Sequence, residues 1–417
     1  MLLPLDSIDF HASGLKKVLY PSAVSNYSPR PTVFPARCGI VMDMQKHPKI
    51  AVAMSGGVDS SMATALLMQQ GFDVFGLTMN VMKPQTGQGA AGCPSAAAVA
   101  AGRVAERLGI PHHVVDLSAE FEKEIVAYFV GEYAVGRTPN PCVRCNRVIK
   151  FQALFEQARR LGAECLATGH YARIEERDGA FRLLRGRDRS KDQSYMLANL
   201  TQAQLRRALF PLGGQTKEQT RRLARDLGFS DVHLPDSQEV CFIPDDDYRA
   251  FVEARLGPFE PGPIMSSRGE ILGTHQGLTR YTVGQRKGLG IAAPRPLYVL
   301  RLDTARNALI VGFEEETWAT ALTAVHANWV GGTALDGPVE CEAQVRYRQQ
   351  PVRCTATPEG AEGFTVTFHA SVRSVAPGQW AALYAGECVL GGGVIDHVTP
   401  AAPACSSVRG QEKRAPE

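Results

Sequence analysis

The feature that most constrains the fold is a glycine turn between an apolar run and a helical pattern. Residues 51–61 read Ala-Val-Ala-Met-Ser-Gly-Gly-Val-Asp-Ser-Ser. The apolar residues 50–54 predict a buried strand, and the apolar spacing after Val58 predicts a helix. A strand that passes through glycines into a helix N-terminus leaves backbone N–H groups and the helix dipole free to bind an anion. The pattern therefore predicts a phosphate-binding turn in an α/β fold.

This turn differs from two common phosphate-binding motifs. It lacks the Gly-Lys-Ser/Thr of a Walker A loop and the Gly-x-Gly-x-x-Gly of a dinucleotide fold. Ser-Gly-Gly-Val-Asp-Ser instead resembles the PP-loop of ATP pyrophosphatases, which split ATP into an adenylyl group and pyrophosphate. An ordinary turn rich in serine and glycine is the alternative, and the strand before it and the helix after it argue against that.

Composition restricts the class of protein. The chain has 417 residues and a net charge of +3, so it can form two or three domains, and any nucleic-acid binding needs local basic patches. No apolar run reaches the length of a membrane span, and the N-terminal segment lacks the pattern of a secretory signal. The ten cysteines are irregularly spaced, unlike a secreted disulfide framework. We therefore expect a cytoplasmic protein without a membrane partner.

The order of patterns predicts several domains. From residue 49 to about 170, strands alternate with helices, which is typical of a Rossmann-like parallel sheet whose ligands bind beyond the carboxyl ends of the strands. Later patterns are short, strand-like and rich in Gly and Pro, which favours a β-barrel. We assign residues 1–48 to a disordered extension (a targeting segment is the alternative), 49–248 to a PP-loop ATP-binding and catalytic domain, 249–312 to a small mixed domain, 313–398 to a C-terminal β-barrel and 399–417 to a disordered tail.

Some local elements can also be predicted. Thr216 and Gln219 predict a capping box that opens a basic helix. Residues 118–135, 151–161 and 245–256 predict helices, and residues 342–347 predict a strand.

The second candidate site is the pair Cys142-Val-Arg-Cys145. Two prolines before it predict an extended approach, with Cys145 just before a helix. There the helix dipole and the cations Arg144, Arg147 and Lys150 would lower the thiol pKa. A Cys-x-x-Cys pair also suits zinc or an iron–sulfur cluster, and inert buried thiols are the third alternative.

Another cysteine and three basic clusters complete the candidates. Cys241 lies in an apolar stretch, where a lone cysteine is more often core than catalytic. Charge runs are often only solvated faces, but three clusters in a nearly neutral chain favour a surface that follows RNA phosphates. The clusters are Arg182, Arg185, Arg187, Arg189 and Lys191; Arg280, Arg286 and Lys287; and Arg346, Arg348 and Arg353, which we expect to alternate along a strand with Tyr347 between them.

Ordered motifs carry a closer resemblance over residues 49 to 397. After the PP-loop come Gly76-Leu-Thr-Met79, Gly136-Arg-Thr-Pro-Asn-Pro, Cys145-Asn, Thr168-Gly-His-Tyr-Ala-Arg, Lys191-Asp-Gln-Ser-Tyr195, Cys241-Phe-Ile, Thr282-Val-Gly-Gln-Arg-Lys-Gly-Leu-Gly-Ile, Arg346-Tyr-Arg-Gln, Pro377-Gly-Gln and Leu390-Gly-Gly-Gly. In this order they resemble the tRNA-specific 2-thiouridylases, which convert the wobble uridine in the anticodon loop of certain tRNAs to 2-thiouridine. The PP-loop alone would not separate this family from relatives that form amides.

The resemblance implies the site residues. Cys145 would be the nucleophile and Cys241 the persulfide carrier. The ATP site would comprise Ala53, Met54, Ser55, Gly56, Gly57, Val58, Asp59, Ser60, Met79 and Gly169. Asn140, Pro141 and Cys142 would border the target base, and His170, Lys191, Asp192, Gln193, Arg346, Tyr347 and Gln379 would contact tRNA. Cys142 replaces an acidic residue of some members, which leaves a resolving thiol or a cluster ligand open.

The resemblance also implies the chemistry. ATP, with Mg²⁺ on its triphosphate, would adenylate O2 of the uracil, and sulfur from the Cys241 persulfide would replace that oxygen. Cys145 would form a disulfide with Cys241 either during the attack or while freeing sulfide, and a sulfur-relay protein or a cysteine desulfurase would supply the sulfur. We expect residues 236–248 to be mobile and to order when tRNA binds. The rival functions are a PP-loop synthetase for a small carboxylate and an RNA-binding module with a degenerate nucleotide site.

Overall fold

The structure, a computed structural model, describes residues 16–18, 48–82, 95–229, 240–243, 245 and 247–401. It contains an N-terminal α/β domain, a small central domain and a C-terminal barrel, as the sequence predicts. Most of the predicted N-terminal extension, nearly all of the predicted tail, and residues 236–239, 244 and 246 of the segment expected to be mobile lie outside the described residues. No helix in the described ranges is long and apolar enough to cross a membrane.

The N-terminal domain is built on a six-stranded sheet with the order β1-β4-β3-β2-β5-β8. Strands β2 to β5 and β8 are parallel, whereas β1 pairs antiparallel with β4 at the edge. The strands of this domain, which include a separate β6–β7 hairpin, are β1 Lys16–Val18, β2 Lys49–Ala53, β3 Asp73–Asn80, β4 His112–Asp116, β5 Cys165–Ala167, β6 Ala172–Arg177, β7 Ala180–Arg185 and β8 Ala208–Leu209. Because β2 and β3 are buried at the centre, the turn after β2 lies at the middle of the carboxyl edge.

Helices cover this sheet. They are α1 Val58–Gln69, α2 Ala96–Leu108, α3 Ser118–Phe121, α4 Ala127–Ala134, α5 Pro141–Cys145, α6 Phe155–Arg160, α7 Ser194–Leu197, α8 Gln202–Leu205, α9 Lys217–Asp226 and α10 Tyr248–Leu256. Two π-helical segments, Glu122–Val126 and Asn146–Leu154, join α3 to α4 and α5 to α6. The predicted capping box is confirmed, because Thr216 and Gln219 bond reciprocally at the start of α9.

The central domain is a four-stranded sheet with the order β10-β9-β12-β11. Its strands are β9 Gly262–Ser266, β10 Ile271–His275, β11 Tyr298–Asp303 and β12 Ala308–Gly312, and two short 3₁₀ helices occur at Leu278–Arg280 and Glu314–Thr317. Strands β9 and β12 are parallel, and the other pairs are antiparallel.

The C-terminal domain is a closed six-stranded barrel, in which β13 pairs with both β16 and β18. Its strands are β13 Trp318–Trp329, β14 Val339–Gln344, β15 Val352–Pro358, β16 Gly363–Arg373, β17 Trp380–Ala385 and β18 Cys388–Pro400. The predicted strand at 342–347 therefore ends too late, and Arg346, Tyr347 and Arg348 follow β14 instead of alternating along it. Arg348 has φ +68°, which is a turn conformation.

The barrel is fixed against the N-terminal domain, and the sequence did not predict this contact. The β6–β7 hairpin pairs with β18 through Leu184 and Cys388. The buried Tyr195 hydroxyl donates to the Trp380 carbonyl at 2.7 Å, and Trp380 belongs to the same hydrophobic core as the N-terminal helices. The loops of the barrel therefore lie beside the segment that carries Cys142 and Cys145.

Candidate active site

The glycine turn is shaped to receive an anion. Gly56 has φ +78°, and a Cβ there would lie 2.5 Å from the Ala100 Cβ, so glycine is required on both counts. Gly57 is the N-cap of α1, and no side chain caps that helix. The first-turn N–H groups of α1 are therefore open to a phosphate.

Serine hydroxyl groups hold the turn in shape. Ser60 and Ser61 both donate to the Gly57 carbonyl, at 3.1 and 2.8 Å, and Ser60 Oγ accepts from the Ser55 N–H at 3.3 Å. Ser55 is exposed. The turn is thus organised before any ligand arrives, with the Ser55 hydroxyl at its surface.

An ion pair between the buried Lys217 and the half-buried Asp59 connects the turn to distant segments. The Lys217 ammonium donates to both carboxylate oxygens of Asp59, at 2.9 and 2.7 Å. The Tyr171 hydroxyl also contacts Asp59 at 2.9 Å and lies 3.0 Å from Thr220 Oγ1. Lys217 and Tyr171 were not among the predicted site residues. The only sequence signal of Lys217 is the start of a helix, and that of Tyr171 is its place within the Thr168-Gly-His-Tyr-Ala-Arg motif.

The other predicted ATP-site residues meet at the same edge of the sheet. Met79 is half-buried near the end of β3, and Gly169 follows β5. A Cβ on Gly169 would lie 2.7 Å from the Asp59 carbonyl carbon, so this glycine permits a close approach to α1. Met54 is buried, its carbonyl accepts from Thr78 Oγ1 at 2.8 Å, and Ala53 and Val58 are half-buried on either side of the turn.

The helix around Cys145 corrects the sequence interpretation. Asn140 is the N-cap of α5 and accepts from the Val143 N–H at 3.3 Å, with Pro141 at the first helical position. The helix continues through the π-helical segment Asn146–Leu154 into α6, so Cys145 lies inside a helix and not before one. Because Cys145 is 8% exposed, burial raises its thiol pKa to about 12, whereas the sequence predicted a lowered pKa.

Cys142, Cys145 and Cys241, here called the thiol cluster, lie in one neighbourhood. Burial is the largest cause of the raised thiol pKa values, and it brings the pKa of Cys142 to about 11. Cys241 also raises the pKa values of Cys142 and Cys145, because a second thiolate nearby would be a like charge. The Cys241 side chain reaches solvent, but the surrounding protein desolvates its thiolate and raises the thiol pKa. All three thiols are free. Within the described ranges, no group of three or more His, Cys, Asp or Glu side chains, the thiol cluster included, is arranged to hold a metal ion.

An aromatic cluster positions Cys241. The next residue, Phe242, is 3% exposed. Its ring packs edge-on against Phe121 and Phe129, with centroids 5.5 and 5.3 Å away. The ring of Phe251, tilted to it, lies 5.4 Å away. The side chain that follows the exposed thiol therefore anchors it beside the helix that carries Cys145.

The predicted tRNA residues mostly support loops around these sites. Asp192 accepts from the Gly186 and Ser194 N–H groups, at 2.8 and 3.1 Å, and Gln193 accepts from the Tyr171 N–H at 2.9 Å. Lys191 is half-buried beside them. These contacts set the positions of the loops, and contacts with tRNA stay a prediction.

The barrel supplies the remaining predicted residues. Gln379 donates to the Thr138 and Pro139 carbonyls, at 3.0 and 3.3 Å, and so supports the turn before Asn140. Arg346 donates to the Val283 carbonyl at 2.9 Å. Tyr347 lies 6.2 Å from Tyr195, centroid to centroid.

His170 connects the nucleotide edge to the thiol cluster. Its Nδ1 lies 2.6 Å from Thr168 Oγ1. Burial, and secondarily Lys150, keep its pKa well below the ordinary range. His170 is therefore neutral at physiological pH. Its neighbour Gly169 packs against Asp59 of α1, and Lys150 acts on both His170 and the thiol cluster.

Family models match all three domains of the chain. The chain matches three family models in succession: a tRNA methyl transferase HUP domain over residues 48–245, a tRNA methyl transferase PRC-barrel domain over 249–313 and an aminomethyltransferase beta-barrel domain over 319–395. The fold and site thus belong to a three-domain protein with an N-terminal HUP domain.

Curated relatives define the family. A tRNA-specific 2-thiouridylase MnmA from Heliobacterium modesticaldum is 49% identical over 83% of this chain and 92% of its own length. Those from Pelotomaculum thermopropionicum and Symbiobacterium thermophilum are each 45% identical over 84% of this chain, and over 97% and 92% of their own lengths. The chain belongs to the tRNA-specific 2-thiouridylase family.

Proposed function

We propose that the chain is a tRNA-uridine 2-sulfurtransferase that uses ATP to convert the wobble uridine of tRNA to 2-thiouridine, with AMP and pyrophosphate as the other products. The observation that carries the proposal is that one chain has an open PP-loop and also brings Cys145 and Cys241 within electrostatic reach of each other. Family membership supports the same reaction.

The PP-loop fits the ATP half of the reaction. Pyrophosphate is the leaving group when O2 of uracil attacks the α-phosphorus, and the open N–H groups of α1 can stabilise its charge. Asp59 is the carboxylate in the first turn of α1, but Lys217 binds both of its oxygens. Mg²⁺ would therefore enter as the counter-ion of the ATP substrate, where it neutralises the triphosphate.

The thiol cluster fits the sulfur half. The outer sulfur of a Cys241 persulfide attacks C2 of the adenylated base, and AMP leaves with its electron pair on oxygen. The Cys145 thiolate then attacks the inner sulfur, which yields the Cys145–Cys241 disulfide and the C2=S product. In the second route, Cys145 attacks first and the freed sulfide attacks C2. Both routes need Cys145 to lose its proton, which its buried position opposes.

The partners follow from this chemistry. The substrate is the anticodon loop of tRNA, whose base must be splayed out to reach a buried thiol. Asn140, Pro141 and Cys142 would border the base, and His170, Lys191, Asp192, Gln193, Arg346, Tyr347 and Gln379 would face the RNA. A protein that carries a persulfide, either a sulfur relay or a cysteine desulfurase, would load Cys241, and we place the reaction in the cytoplasm.

Nucleoside analysis tests this function. The protein is incubated with ATP, Mg²⁺, a persulfide donor and unmodified tRNA. The tRNA is then digested to nucleosides, which are identified by mass spectrometry. We expect 2-thiouridine from the wild type and none from Cys145→Ser or Cys241→Ser. The half-buried Cys388, which lies on the barrel, provides the matched control Cys388→Ser, which should retain activity.

Three results would contradict the proposal. A mass increase that matches a methyl group would indicate methylation, as the names of two family models suggest. AMP formation that does not depend on tRNA would favour a small-molecule synthetase. Full activity in either cysteine variant would refute that cysteine's assignment.

A further inference from the structure

The π-helical segment after Cys145 changes which side chains share its face. In an α-helix, residues three or four apart lie on one face, at 3.6 residues per turn. In a π-helix the backbone bonds run from residue i to i+5, so each turn is wider and residues five apart come onto the same face. Lys150 is five residues after Cys145, within the segment Asn146–Leu154. The π-helical geometry therefore turns Lys150 toward the face of Cys145.

The electrostatic neighbourhood of Lys150 agrees with this register. Lys150 acts on Cys142 and Cys145 of its own helix, on Cys241 of the segment 240–243 and on His170 of the loop after β5. It lowers the pKa of each of these four groups. The charge of Lys150 therefore acts both on the thiol cluster and on His170, the residue after Gly169.

Lys150 has no competing partner in the part of the chain that the structure describes. It is half-buried, and its ammonium group makes no hydrogen bond or ion pair with any described residue. Surface lysines pair readily with carboxylates, whereas a half-buried ammonium without a counter-charge favours an anion at its site.

The other two cations of this helix face elsewhere. Arg144 binds Glu124 at 2.7 Å, and Arg147 donates to Asn199 Oδ1 at 2.7 Å. Both line a separate cavity of about 550 Å³ together with His326, and neither Cys142 nor Cys145 lines it. The sequence suggested that three cations act on the Cys145 thiol. Of these three, only Lys150 acts on it in the structure.

We propose that Lys150 is the electrostatic residue of the sulfur-transfer site, which stabilises the Cys145 thiolate and the negative sulfur that passes between the cysteines. Cys145 loses its thiol proton to water, and the Lys150 ammonium keeps its own protons and offsets the new charge. When the thiolate attacks the Cys241 persulfide, the charge moves within reach of the same ammonium. Lys150 is a positioning residue that acts through the thiols. Its effect on the Cys145 thiolate does not depend on the proposed function, whereas its effect on turnover does.

Alkylation of Cys145 tests this without ATP or tRNA. The rate of its reaction with iodoacetamide is followed by peptide mass spectrometry from about pH 7 to 9, a range below the raised pKa of the thiol, where rate is proportional to thiolate. Removing an adjacent opposite charge shifts a pKa by about one unit or more, so Lys150→Gln should react roughly tenfold more slowly throughout. Lys150→Arg should stay near wild type, and Arg147→Gln is the matched control that should not change.

The outcomes separate this inference from the proposed function. A Lys150→Gln rate equal to wild type, with an unchanged thermal transition, would overturn the role of Lys150. If that variant fails to fold, Lys150→Met keeps the length of the side chain and must show the same slowing. A tenfold slowing in a protein that makes no 2-thiouridine would uphold the electrostatic role and refute the proposed function instead.

Discussion

Replacing Lys217 by methionine tests whether the partly buried ion pair with Asp59 holds the PP-loop helix in place. The side chains of Lys217 and Asp59 are 8% and 31% exposed. Removing one partner of a buried pair costs about 3–5 kcal/mol, because the other charge is left alone. Water can reach the partly exposed Asp59, so we expect a loss of about 2–3 kcal/mol in the free energy of unfolding.

The assay is urea unfolding followed by far-UV circular dichroism, since the described α-helices lie in residues 58–256 and report on the N-terminal side of the molecule. Lys217→Met combined with Asp59→Asn should recover part of the loss, because no lone carboxylate then remains. Lys123→Met is the matched control. The Lys123 side chain is 83% exposed and lies 3.7 Å from Glu124, and a surface pair contributes less than about 1 kcal/mol.

Two results would refute the reasoning. One is a Lys217→Met protein as stable as the Lys123→Met control. The other is a double variant whose loss equals the sum of the two single losses, which would mean that the two side chains are not energetically coupled.

Three further predictions concern packing, the nucleotide edge and pH. Phe242→Ala should cost about 3 kcal/mol of stability and slow sulfur transfer, because Cys241 loses its anchor. Gly169→Ala should weaken ATP binding measured by calorimetry, since its Cβ would lie 2.7 Å from Asp59. The buried His112 has a pKa lowered to about 4 by burial and, secondly, by His113. As pH falls, this histidine is therefore protonated in the unfolded chain before it is protonated in the folded protein. Stability should drop by about 2 kcal/mol from about pH 7 to 5, and His112→Asn should flatten that slope.

Each of these predictions can fail independently. Unchanged transfer rates in a folded Phe242→Ala protein would mean that Cys241 needs no fixed anchor. Tight ATP binding by Gly169→Ala would contradict the close approach of the loop to α1. An equally steep pH slope in His112→Asn would assign the pH dependence to other groups.

The sequence predicted the architecture because its signals are local. The run before Ser55, the alternation up to Thr168 and the short strands after residue 313 each follow from periodicity and turn residues. Strand β2, Lys49–Ala53, coincides closely with the apolar run 50–54 that predicted a buried strand. The glycine turn is likewise a contiguous motif, and the structure places it between β2 and α1, as the sequence predicted.

The errors come from interactions that sequence spacing does not reveal. Asn140 and Pro141 start a helix that was expected only after Cys145, because an Asn N-cap with a following proline outweighs the extended preference of the two prolines. Burial of that helix then reverses the predicted direction of the Cys145 pKa shift. Lys217 lies 158 residues from its partner Asp59, so only the tertiary fold shows that pair.

The most direct test of the central claim is a single turnover without added reductant. Protein loaded with persulfide on Cys241 is mixed with ATP and tRNA, and its peptides are mapped under non-reducing conditions while the nucleosides are counted. Both sulfur-transfer routes predict one Cys145–Cys241 disulfide for each 2-thiouridine formed. Formation of 2-thiouridine while Cys145 and Cys241 remain reduced would contradict the account.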